Sequence, residues 1–74
     1  MRYFVLPGVD RPRGLVRSND HGFRPEYLDS GVWIPDHALI GYTVMADTQA
    51  DEVDEATARA VAVRLGAGPA VFAE

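Results

Sequence analysis

Asp54-Glu55-Ala56-Thr57-Ala58-Arg59-Ala60-Val61-Ala62-Val63-Arg64-Leu65-Gly66 is the stretch whose pattern decides the fold. The Asp54 carboxylate can accept from the free N–H groups of a first helical turn, and Glu55 complements the positive end of the helix dipole. Gly66, Gly68 and Pro69 then stop the helix. At about 100° per residue, Thr57, Ala58, Val61, Ala62 and Leu65 share one side, expected to face the core. Ala56, Ala60 and Val63 form a second, weaker stripe flanked by Arg59 and Arg64.

Toward the N-terminus the period changes from 3.6 to two. Arg2 to Leu6 alternates Tyr3 and Val5 with Arg2, Phe4 and Leu6, and its aromatic and β-branched content suits a strand. Residues 7–14 hold Pro7, Gly8, Pro12 and Gly14 and predict a loop. Leu15 to Arg17 is expected to be a second strand, and Ser18-Asn19-Asp20-His21-Gly22 carries the residues of a hairpin turn. Phe23 to Leu28 alternates again, and because Pro25 cannot donate to a ladder this third strand is expected to lie at a sheet edge or to be irregular. After the turn Asp29-Ser30-Gly31 comes the apolar run Val32-Trp33-Ile34, ended by Pro35. Asp36 can cap a short helical segment from His37 to about Tyr42. Ala46 to Val53 is polar and acidic and is expected to be a loop; Ala70 to Ala73 is expected to be extended or frayed.

These elements predict an α+β domain, a three-stranded antiparallel meander packed against one main C-terminal helix, with a short helical segment after Pro35. The chain of 74 residues supports one core, so residues 1–74 are expected to be a single domain, with 66–74 a flexible or packed tail. Tyr3, Val5, Val16, Trp33, Leu39, Val61 and Leu65 are the expected core. For Trp33, the only tryptophan, a core role is weighed against a binding hot spot.

Val32-Trp33-Ile34-Pro35-Asp36, with Leu39 and Tyr42 after it and then an acidic loop and a capped Ala-rich helix, carries a resemblance. Over residues 2–65 the chain resembles a class of short uncharacterised actinobacterial and actinobacteriophage proteins. In these an aromatic strand opens the chain, a Trp follows a turn, and an acidic helix start lies nearer the end. The resemblance implies no activity.

The chemistry of the residues narrows function mainly by exclusion. With no cysteine there is neither a disulfide framework nor a thiolate zinc site. His21 and His37 lack the i, i+4 spacing and further ligands of a zinc site, and surface or capping roles are expected. The acidic run from Asp47 to Glu55 fails as a calcium loop, because Glu52 stands where the loop glycine belongs and Ala58 where the bidentate glutamate belongs. Ser18 and Ser30 lie outside any nucleophile motif, and Gly8, Gly14, Gly66 and Gly68 make no phosphate loop. No catalytic, cofactor-binding or metal-binding residue is therefore assigned, and a non-enzyme without cofactors is expected.

The net charge of −4 is unevenly spread. Arg2, Arg11, Arg13, Arg17 and Arg24 slightly outnumber the carboxylates of residues 1–30, whereas Asp47, Asp51, Glu52, Asp54 and Glu55 make the second part acidic. Arg11, Arg13, Arg17 and Arg24 beside Tyr27 are interleaved with Asp10, Asp20 and Glu26, which weakens any field, so nucleic acid is not an expected partner. The opening apolar run is too short for a secretion signal, and no stretch approaches the roughly 20 apolar residues of a spanning helix. A cytoplasmic protein without membrane contact is expected.

Two functions lead, with a small enzyme ranked third behind them. One is a protein-interaction module, perceived as a small accessory or phage-encoded protein acting on a host protein. Ala56, Arg59, Ala60, Val63, Arg64, Val71 and Phe72 would be its contact surface, used for a protein partner, a homodimer or both. The other is an acidic regulator, an antitoxin-like or nucleic-acid-mimicking inhibitor whose Asp47-to-Glu55 run occupies a basic site.

Overall fold

In the computed structural model, residues 1–10, 12–43 and 50–72 are described. Among these residues, five strands form one antiparallel sheet: β1 (Arg2–Leu6), β2 (Gly14–Ser18), β3 (Glu26–Asp29), β4 (Val32–Pro35) and β5 (Asp51–Val53), in the spatial order β4-β3-β2-β1-β5. The expected meander is its centre, with Phe4 opposite Val16 and Val16 opposite Tyr27. Two further strands flank it. The run Val32–Pro35 pairs with β3 from Glu26↔Pro35 to Asp29↔Val32, and Asp51–Val53, expected to be loop, pairs with β1 from Val5↔Asp51 to Tyr3↔Val53.

Pro25 is not at an edge, because the third strand begins only at Glu26 and lies between β2 and β4. The proline precedes the ladder, where its missing N–H costs nothing, and its carbonyl accepts from Asp36 N–H at 3.1 Å. Phe23 and Arg24 belong to the preceding turn. There the Asn19 side-chain oxygen accepts from the N–H groups of His21 and Phe23, both at 2.9 Å. The β3–β4 turn places Ser30 and Gly31 at φ of 52° and 82°, the left-handed pair of a two-residue hairpin whose twist matches its strands.

The helical segment after Pro35 is a 3₁₀ turn, His37–Leu39, running into the single-turn α1, Ile40–Thr43. Asp36 caps it by accepting from Ala38 N–H at 3.0 Å. The main helix α2 covers Glu55–Arg64. Its Asp54 N-cap accepts from Thr57 N–H at 2.8 Å. At the other end Ala67 N–H reaches the Ala62 carbonyl at 2.9 Å and Gly66 N–H the Val63 carbonyl at 3.0 Å, with Gly66 at φ 86°. This is a complete Schellman cap, and the buried Ala62 and Ala67 supply its apolar contact.

Strand alternation sends Tyr3, Val5, Leu15, Arg17, Leu28, Trp33 and Val53 to the α2 side, and Phe4, Val16, Ser18, Tyr27 and Ile34 to the reverse. On the α2 side, Tyr3, Leu15, Ala58, Val61, Ala62 and Ala67 form the buried cluster, with Val5, Leu28, Trp33, Val53, Leu65, Val71 and Phe72 packed around it. Phe4, Val16 and Ser18 are nonetheless buried on the reverse face. Val16 thus belongs to a different layer from the other expected core residues. Leu39 is only half-buried and stands outside the α2-side cluster. Thr57, expected to face the core, is exposed, because its side of α2 lies beyond the Ala58–Val61–Ala62 line that meets β1 and β2.

Of Ala70 to Ala73, expected to be extended or frayed, Ala73 lies outside the described residues, and the rest is wound into a 3₁₀ turn, Pro69–Phe72, that folds back onto the sheet. The indole N–H of Trp33 donates to the Val71 carbonyl at 2.8 Å, and the Phe72 ring lies 5.6 Å from that of Tyr3 and 6.0 Å from that of Trp33. An aromatic segment without helix or strand periodicity acquires its conformation from these distant contacts.

Candidate functional site

The helix that packs through Ala58, Val61 and Ala62 must present the opposite side outward, and Ala56, Ala60, Val63 and Arg64 are all exposed there. Val63 is 63% exposed, against 8% for Val61 two positions earlier. Arg59 is also exposed, but its guanidinium is occupied: it pairs with Glu55 one turn back at 3.1 Å and lies 4.9 Å from the centre of the Phe72 ring. Five of the seven residues expected to form a contact surface are therefore together on the outer side of α2. Val71 and Phe72 are not part of it. They pack half-buried against Tyr3 and Trp33 and leave Ala56, Ala60 and Val63 uncovered.

Arg64 also lines an open cleft of about 790 Å³ between the C-terminal end of α2 and the β1–β2 loop, with Pro7, Val9, Asp10, Arg13 and Leu65. Arg13 ties this loop to its own start, its backbone N–H donating to the Leu6 carbonyl at 2.7 Å and its Nε to the Pro7 carbonyl at 2.9 Å. Local sequence carried no signal of the cleft, because its two walls are more than fifty positions apart.

The remaining arginines do not make one basic patch among the described residues. Arg17 faces the α2 side, paired with Glu26 at 2.7 Å and stacked 4.3 Å from the centre of the Trp33 ring. Arg24 lies in the β2–β3 turn at φ 55°, and Arg11 is outside the described residues. Trp33 accordingly joins the core, its ring between Arg17 and Phe72 and its N–H satisfied.

The acidic run is divided as well. Asp47 is outside the described residues. Glu52 accepts a two-pronged bond from Arg2, at 2.9 Å and 2.7 Å, and that hydrogen bond holds its carboxyl below the usual range. The Asp54 carboxyl is lowered too, by the backbone N–H of Thr57 at the helix start. Glu55 pairs with Arg59. Among the described residues no group of three or more His, Cys, Asp or Glu is placed to hold a metal ion, and no helix is long and apolar enough to cross a membrane. No protein-family model, no curated protein and no solved structure matches this chain.

Proposed function

We propose that this chain is a small non-enzymatic protein-interaction module, an accessory protein of actinobacterial or phage type that works in the cytoplasm by contacting another protein, a second copy of itself, or both. The contact surface is the outer side of α2: Ala56, Ala60 and Val63 at its centre, Arg59 and Arg64 at its flanks. The carrying observation is the 63% exposure of Val63 on a helix whose packed side is already complete. Small neighbours let another chain approach the helix closely, and arginines at the rim suit carboxylates of that chain.

Pairing through the sheet edges has less support. In the β3–β4 hairpin Asp29↔Val32 and Tyr27↔Ile34 exchange the ladder bonds, so Trp33 and Pro35 point their backbone groups outward, and Pro35 has no N–H to offer. The other edge, Asp51–Val53, is three residues long and opens with two carboxylates. The acidic-regulator reading is weakened by the same accounting, since Glu52, Asp54 and Glu55 are already engaged within the chain.

The test is Val63→Glu. The variant keeps its melting temperature to within about a degree, as exposed substitutions do. It loses self-association in sedimentation equilibrium and loses whatever protein the parent captures from an actinobacterial lysate, with little dependence of capture on salt. Unchanged association, or a large loss of stability in a chain that is monomeric throughout, refutes the reading.

A further inference from the structure

Five strands are wider than one helix can cover, since strands lie about 4.8 Å apart and a helix with its side chains is about 10 Å across. Here α2 covers β1 and β2, and the remaining aromatic surface toward β4 is covered by the turn Pro69–Phe72. The two walls of that seat are held from other directions. Trp33 is stacked against Arg17, which Glu26 anchors at 2.7 Å, and Tyr3 is buried between α2 and the sheet. The turn is joined to the rest more loosely. The helix before it is already ended by its own Schellman cap, and Gly68, with nothing within 4 Å of a Cβ at that position, links cap to turn. Among the described residues, its backbone meets the sheet through the 2.8 Å bond from the Trp33 indole to the Val71 carbonyl, and Phe72 adds contacts with Tyr3, Trp33 and Arg59.

From this we infer that the Tyr3–Trp33 seat is a peptide-binding site, filled in the resting chain by its own Val71–Phe72, and that it accepts from a partner protein a short segment of the same chemistry. That chemistry is a β-branched or aliphatic residue followed by an aromatic one, in a single turn whose carbonyl takes the indole N–H. The occupant is specified by the segment seated there: Phe72 fills the space between the two aromatic walls, and the Arg59 guanidinium over its ring favours an aromatic over an aliphatic side chain. The tethered copy competes at an effective concentration of roughly millimolar, so the resting chain binds such a segment weakly and a chain whose turn is released binds it well. The seat and the outer side of α2 share Arg59, but Val63 belongs to the outer side alone, so Val63→Glu tests that side without disturbing the seat.

The probe is the synthetic heptapeptide with the sequence of residues 68–74, acetylated and amidated, and the reporter is fluorescence of Trp33, the only tryptophan. Phe72→Ala in the full chain should bind this peptide at least about tenfold more tightly than the parent does, and a peptide with Phe replaced by Ala should not bind. Val63→Glu leaves peptide binding unaltered. In the parent, the indole N–H of Trp33 should exchange with solvent at least about a hundredfold faster than the backbone N–H of Val16, because the turn opens without global unfolding. A folded Phe72→Ala chain that ignores the peptide, or binds it no better than the parent, overturns the inference. So does an indole N–H as protected as Val16, which decides the matter alone if Phe72→Ala does not fold.

Discussion

Over β1 and β2 the sheet is closed by Ala58 and Ala62 of α2, whereas the surface between Tyr3 and Trp33 is closed by the single ring of Phe72. Alanines let a helix backbone come close, so many small contacts are made at once and the helix carries its own hydrogen bonds and caps with it. An isolated 3₁₀ turn has little internal bonding and must span a wider gap with one large side chain and one indole bond. One side of one sheet thus has a self-supporting roof and a dependent one. The dependent half is where the proposed exchange of segments takes place.

The comparison can be broken most directly at Leu15, fully buried under α2. Leu15→Ala should cost about 4 kcal/mol, measured by urea unfolding, because the helix cannot sink further to fill the space. A loss below about 1 kcal/mol would mean that the α2 half is as loosely closed as the other. Trp33→Ala should cost about 3 kcal/mol and, unlike Leu15→Ala, should free the resonances of Val71 and Phe72 before the helix melts. Simultaneous loss of both would make the two halves one cooperative unit.

Gly66→Ala tests the boundary between the halves. At φ 86° the new methyl group meets no atom within 4 Å, so the cost is backbone strain alone, about 1 kcal/mol in thermal unfolding. A neutral result would mean that the helix does not need its Schellman end.

The smallest effect is that of acid. The Glu52 carboxyl is held below its unfolded value by its hydrogen bond to Arg2, so its contribution to stability is present above the unfolded pKa, about 4.3, and is lost as pH falls through the lower folded value. Asp54, lowered by Thr57 N–H, acts with the same sign at the start of α2. Melting temperatures should therefore decline modestly below about pH 4, and Arg2→Ala should flatten part of that decline. An unchanged pH profile in Arg2→Ala would show that the β5 ion pair contributes nothing to stability.

The α2 boundaries, its outer stripe and the caps at Asp36 and Asp54 were legible because each depends on neighbours within a turn: a carboxylate over free N–H groups, a glycine at positive φ, an apolar residue every third or fourth position. The first hairpin strands were legible for the same local reason. Thr57 was misplaced because helical spacing gives the axis of an apolar side and not its width, which is set by the strands that α2 meets, β1 and β2.

What only tertiary structure decided is whatever borrows its conformation from distant partners. Asp51-Glu52-Val53 has no strand character of its own and becomes a strand because β1 offers an open ladder and Arg2 takes up Glu52. Val71 and Phe72 form a turn because Trp33, thirty-eight positions from Val71, supplies a hydrogen-bond donor and a ring. Local sequence determines where a backbone satisfies its own hydrogen bonds. A segment that must satisfy them elsewhere has its shape decided by whichever surface the rest of the chain leaves uncovered.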